Sequence, residues 1–201
     1  MPKLNVLIAG STGYIGVQLI KLLIKHKNIN IKYLCGSSSV GKKISSYDIS
    51  LKSKNLPKII KYNKKYLVNV DIIFTALPNG EAQLISKDLL KKNTLIDLAA
   101  DFRLKKGSDY LKWYKQKHKA LNNIKKSIYA LPEITGGIVK KFSIIGCPGC
   151  YPTSILLPLI PLVKGKSVNL KNIIIDSKSG YSGAGRGVHK KFKDKNLYES
   201  L

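Results

Sequence analysis

The chain has 201 residues, 44% of them hydrophobic, which suits one large domain or one complete domain with part of another and a sizeable buried core. No apolar run approaches the roughly 20 residues needed to span a membrane, and the opening segment is no secretory signal because its short apolar stretch runs straight into a glycine turn, so a cytoplasmic protein with no membrane contact is expected. The net charge of +25 comes from lysines scattered along the whole chain, with Arg103 and Arg186 the only arginines, and this points to a basic solvated surface that draws in small anions rather than to a nucleic-acid interface.

Residues 4–9 (LNVLIA) predict a buried strand, and apolar side chains at Ile15, Leu19, Leu22 and Leu23 predict a helix over 14–26. Between them lies Gly10-Ser11-Thr12-Gly13-Tyr14-Ile15-Gly16, a GxxGxxG form of the dinucleotide fingerprint. Its glycines permit a tight turn and close approach of backbone to a pyrophosphate, and the helix start offers free N–H groups to the phosphates. A plain structural turn is the bland alternative, but strand, turn and helix fall in the order a nucleotide site needs.

Residues 30–35 predict a second strand, followed by a Gly/Ser/Lys loop over 36–46. Binders of the unphosphorylated dinucleotide usually carry an acid at the end of this strand for the ribose 2′-hydroxyl. Here the sequence continues Cys35-Gly36-Ser37-Ser38-Ser39 and then Lys42 and Lys43, so hydroxyls and lysines favour NADP.

Further strands are predicted at 70–75, 94–98 and 142–145, with helices at 80–91 and 109–118. A turn at 146–152 is followed by a helix from about 153 and a strand-like stretch at 168–176. Strands alternating with helices give an α/β protein with a Rossmann-like parallel sheet. The sharp turn divides it into a nucleotide-binding domain over 1–148 and the N-terminal part of a second α/β catalytic and dimerisation domain over 149–201. Nothing near Leu201 signals a completed domain, so a fragment is expected.

Gly146-Cys147-Pro148-Gly149-Cys150 joins strand to helix, with Cys150 close to the helix start. Helix dipole and free amides at such a position stabilise a thiolate and can serve an oxyanion. A buried structural cysteine, a CxxC dithiol and a metal ligand remain open, although His26, His118 and His189 all lie far away in sequence. Three cysteines without a secretory signal argue against a disulfide framework.

Taken in order, GSTGYIG (10–16), FTALPNG (74–80), DLAADFRL (97–104), YALPEI (129–134), GCPGCYPTS (146–154) and DSKSGYSGAGRG (176–187) resemble the N-acetyl-gamma-glutamyl-phosphate reductases over essentially the whole chain. The first motif is shared with the wider semialdehyde dehydrogenase superfamily, whereas PGCYPT and KSGYSGAGR are quite specific. The resemblance implies an NADPH-dependent reductase of an acyl phosphate in arginine biosynthesis, with Cys150 as nucleophile forming a thioester. It also implies that Ser182, Gly183, Ala184 and Gly185 lie along the nicotinamide side of the cofactor. Arg103, in DFRL, offers a planar donor fork suited to acyl-phosphate oxygens, the alternative being an ion pair with Asp101 or Glu133. Departures are Cys147 where Asn is usual and Asn79 where His is common. The resemblance further implies a homo-oligomer and a longer chain, with the acid/base His beyond Leu201, since His189 does not match its motif. Reduction of a carrier-bound aminoadipyl phosphate or of aspartyl phosphate, or a non-catalytic NADP redox sensor, are the alternatives.

Overall fold

The computed structural model describes residues 2–185. It contains β1 (Leu4–Ala9), α1 (Tyr14–Leu23), β2 (Ile29–Cys35), β3 (Ile59–Ile60), β4 (Ile72–Thr75), α2 (Glu81–Lys87) and β5 (Thr94–Asp97). After these come α3 (Gly107–Tyr114), α4 (Leu121–Ile124), β6 (Ser127–Tyr129), α5 (Pro132–Thr135), β7 (Ile144–Gly146) and α6 (Cys150–Lys164). All seven strands form one parallel sheet in the order β3-β2-β1-β4-β5-β7-β6, as expected for a Rossmann-like domain.

The sheet is covered on both faces, so its strands read as continuous apolar runs. Alternation along β1 sends Val6 and Ile8 to one face and Leu7 and Ala9 to the other, all buried. On the first face they meet Val17, Ile20 and Leu23 of α1, and on the second Ala82 and Ile85 of α2 together with Phe102. The strand order reverses between β1 and β4, and in open α/β sheets the crevice outside the carboxyl ends at such a point is where ligands bind.

The structure departs from the sequence expectations at several elements, and the helix expected over 80–91 is the shorter α2. Strands β3 and β6 are two and three residues long, too short for a periodic signal, and exist because each pairs with an edge of the sheet. Helix α6 begins at Cys150 rather than near 153, since Gly149 takes the extended conformation of an N-cap and Pro152 fits the first turn. Residues 168–176 form no strand. Among the described residues no strand lies beside them, and β-branched side chains cannot make a strand without a ladder partner; Ile174 is 95% exposed.

Ile8 lies in the central strand and has no exposure. Ile8→Ala should therefore cost about 2–5 kcal/mol of stability in urea denaturation. A loss below about 1 kcal/mol would mean that the sheet is not packed on both faces as described.

Candidate active site

The glycine turn is shaped by close approach. Gly10 has φ of +83°, and a Cβ there would collide with the carbonyl of Ala76. A Cβ on Gly16 would collide with the Gly10 carbonyl and stand 2.9 Å from the Ser11 backbone, so this glycine lets α1 sit directly on the turn. Gly13 is the extended N-cap of α1 and contributes no side-chain cap. A helix start of this kind, with a glycine N-cap, is where backbone amides and the positive end of the helix dipole are offered to an anion. Thr12, Gly13 and Tyr14 are partly exposed at this turn and Ile15 is exposed. Ser11 is different: it has no exposure, and both its amide and its hydroxyl donate to the Cys35 carbonyl, at 3.1 and 3.0 Å. Its side chain ties the turn to the end of β2.

Beyond Cys35 the loop folds back over β3. The Gly36 amide donates to the Ile60 carbonyl (3.0 Å), Gly41 to Ile59 (2.8 Å), and the Ile59 amide to Lys42 (3.0 Å). Ser39 is buried and accepts from the Tyr47 hydroxyl at 2.5 Å, while Ser37 and Ser38 stay exposed. Gly10, Gly36, Ser37, Lys61, Tyr62, Leu77, Glu81 and Asp88 are among the residues lining a cleft of about 550 Å³ at this end of the sheet. Lys61 has no motif signal in the sequence; only the pairing of β3 brings it here.

The second half of the site is built on β5 and β7. Asp97 ends β5 fully buried. Its carboxylate accepts from the Thr75 hydroxyl (2.8 Å) and from the amides of Ala99 and Asp101 (both 3.1 Å), and its carbonyl accepts from the Cys147 amide (2.8 Å). Burial pushes the pKa of its carboxyl up to about 6. Asp101, also buried, accepts from the amides of Gly80 (2.7 Å) and Gln83 (3.2 Å), supplying the cap that Gly80 cannot give α2, and from the Tyr110 hydroxyl (2.7 Å). The loop they hold crosses β7 at Gly146, where a Cβ would lie 2.5 Å from the Phe102 carbonyl.

Arg103 emerges from that loop half-buried. Its Nε donates to the Cys147 carbonyl at 2.8 Å and one terminal nitrogen to the Leu98 carbonyl at 3.4 Å. Its other terminal nitrogen lies 3.4 Å from where a Cβ on Gly149 would stand. It makes no ion pair with Asp101 or Glu133. The two cysteines of the turn separate clearly. Cys147 is half-buried, and burial, with the Asp97 charge beside it, pushes its thiol up to about 11. Cys150 is exposed in the first turn of α6, with its Sγ 3.7 Å from the Ser179 hydroxyl. Ser179 belongs to the KSGYSGAG segment, and it brings that segment to the nucleophile candidate. Ser182, Gly183, Ala184 and Gly185 follow in and just after a single 3-10 turn at Tyr181–Ala184, with Gly185 at φ of +83°. Arg186 and His189 lie outside the described residues.

A parallel sheet carrying a glycine turn at its switch point and a cysteine-bearing helix at the same carboxyl edge defines a dinucleotide-binding oxidoreductase-type domain. The family model described as the semialdehyde dehydrogenase NAD-binding domain matches residues 5–141, and that of the semialdehyde dehydrogenase dimerisation domain matches residues 150–201. The chain belongs to the semialdehyde dehydrogenase family, and its cofactor is a nicotinamide dinucleotide. It is similar to the N-acetyl-gamma-glutamyl-phosphate reductase of Desulforamulus reducens (41% identical, covering 90% of this chain and 53% of that one). It is likewise similar to that of Ehrlichia canis (40% identical, 98% and 56%). A rice protein named a probable chloroplastic enzyme of the same kind is 37% identical (99% and 47%). The chain thus spans about half the length of the curated relatives it matches. Among solved structures, aspartate semialdehyde dehydrogenase II of Vibrio cholerae shares the fold, with a TM-score of 0.62 at 20% identity over 93% of this chain and 49% of that one. Among the described residues no helix is long and apolar enough to cross a membrane.

Asp97 yields a pH prediction. Its folded-state value near 6 lies above the unfolded value near 4, so its contribution to stability is complete below about pH 4 and lost as pH rises through about 6. The loss is on the order of 3 kcal/mol. A carboxyl NMR titration should place the Asp97 midpoint near 6, and a midpoint at or below 4 would overturn the buried placement.

Proposed function

We propose that the chain carries the nucleotide-binding and nucleophile-bearing part of an NADPH-dependent reductase that converts N-acetyl-gamma-glutamyl phosphate to the 5-semialdehyde with release of phosphate, in arginine biosynthesis. The observation that carries this reading is the exposed Cys150 in the first turn of α6, at the same sheet edge as the glycine turn. The names of relatives near 40% identity select the acyl phosphate among the family's substrates.

On this reading the Cys150 thiolate attacks the acyl carbon, a C–S bond forms, and phosphate leaves with the electrons of the broken C–O bond. Amides of the α6 start stabilise the oxyanion. Arg103, fixed by two backbone carbonyls, keeps a terminal nitrogen directed towards Gly149 and able to meet a substrate phosphate oxygen. Gly10 and Gly16 open the cradle, and the turn at Thr12–Ile15 with the start of α1 holds the pyrophosphate. A nicotinamide held by this cradle would supply the hydride needed at the thioester carbon, and Cys150 would take back the C–S electron pair as the aldehyde departs. Ser37 and Ser38, with no acid at the end of β2, favour the 2′-phosphate of NADP. The Ser182–Gly185 stretch, tied to Cys150 through Ser179, is proposed to flank the nicotinamide. The half-buried, neutral Cys147 thiol speaks against a dithiol sensor.

The domain boundary proposed at 148/149 is supported by the start of α6 and by the gap between the two family matches. The match to a dimerisation domain supports a homo-oligomer. Three unpaired cysteines suit a reducing compartment, for which the cytoplasm is proposed.

In the intact protein, Cys150→Ser should keep NADPH affinity and lose at least about 10³-fold in kcat. The assay is phosphate-dependent reduction of NADP by N-acetylglutamate semialdehyde, and substantial turnover by Cys150→Ser would remove the nucleophile assignment. The kcat/KM for NADPH should exceed that for NADH by at least about tenfold, and a preference for NADH would refute the cofactor assignment.

A further inference from the structure

We propose that Lys61, the first residue after β3, is the cation that selects the 2′-phosphate, so that cofactor choice is made from a strand other than the one bearing the serines. This rests on the reading of the chain as an NADPH-dependent reductase. Register places Lys61 there. Cys35 pairs with Ile60, and the Gly36 amide donates to the Ile60 carbonyl at 3.0 Å. The backbone of Lys61 therefore starts about one strand spacing, roughly 4.8 Å, from the end of β2. Its four-carbon stem spans more than that distance and reaches the Gly36-Ser37 backbone, where the ribose edge of the nucleotide meets the sheet.

Three features set Lys61 apart from the other lysines of this basic chain. It is the one lysine among the residues lining the cleft that also holds Gly10, Gly36 and Ser37. It has no salt bridge among the described residues, so its charge is not spent on a carboxylate. The loop after β2 is laced to β3 by Gly41 and Lys42, which fixes the spacing between the serines and Lys61. Neither acid of the cleft is ion-paired with Lys61. Asp88 accepts from the Tyr62 hydroxyl at 3.0 Å, and Glu81 begins α2, next to the loop after β4.

The test measures binding of 2′,5′-ADP and of 5′-AMP, which differ in the 2′-phosphate alone, to the intact protein and to Lys61→Gln, Lys61→Arg and Lys58→Gln. Lys58 is exposed at the other end of β3 and controls for general loss of positive charge. Lys61→Gln should weaken 2′,5′-ADP roughly tenfold and change 5′-AMP less than twofold, with Lys61→Arg restoring most of the difference and Lys58→Gln close to wild type. Equal weakening of both probes, or equal effects of Lys61→Gln and Lys58→Gln, overturns the role of Lys61. So does an unchanged preference in Lys61→Gln when the wild type favours 2′,5′-ADP, and in that case the NADPH reading stands. A wild type that does not distinguish the probes overturns the NADPH reading itself and Lys61 with it.

Discussion

Asp97 is where the carboxyl edge of this sheet is tied together. One residue holds β4 through Thr75, the following loop through the amides of Ala99 and Asp101, and the start of the cysteine turn through its own carbonyl and the Cys147 amide. A buried carboxylate is expensive unless its lone pairs are filled, and here three donors fill them. The strain-free alternative, an apolar residue at the end of β5, would leave the amides of Ala99 and Asp101 without their acceptor and free the loop that carries Arg103. Asp101 extends the arrangement by capping α2, so the two acids together position the loops after β4, β5 and β7.

That scaffold explains why the sole described arginine stands where it does. Its planar fork is used sideways, Nε to one loop carbonyl and a terminal nitrogen to another, which aims the remaining donor at the N-cap of α6. A lysine, with one ammonium point at the end of a flexible stem, can neutralise phosphate but cannot lace two carbonyls and still present a fixed donor. Work that needs two carbonyls laced and a donor still held in place therefore falls to arginine here.

The cysteine turn shows the same division by environment. Cys147 and Cys150 are three residues apart, yet one is half-buried beside a carboxylate and the other stands exposed at a helix start. Burial and a neighbouring negative charge both penalise a thiolate at Cys147, whereas Cys150 stands exposed in the first turn of α6 with its sulfur beside Ser179. Gly146 is the precondition for both, because only a residue without Cβ lets the Phe102 backbone cross the end of β7.

Much of this was legible in the sequence, because it depends on local chemistry. The glycine turn between β1 and α1, the apolar runs of the central strands, the missing acid after β2 and the cysteine turn all express short-range rules: which residues tolerate a tight turn, which runs bury on both faces, which side chain starts a helix. What depends on pairing partners was not legible. Residues 168–176 have strand composition but find no neighbour among the described residues, while Ile59–Ile60 and Ser127–Tyr129, too short to signal anything, become strands because an edge is there to receive them. Arg103 could be singled out for its fork, but that it binds the Cys147 carbonyl rather than Asp101 or Glu133 was decided by the crossing at Gly146. Likewise nothing local marks Asp97 as the tie of the edge, or Lys61 as a wall of the cleft; Thr75 and Cys147 come to Asp97, and the end of β2 comes to Lys61, only once the parallel register is set.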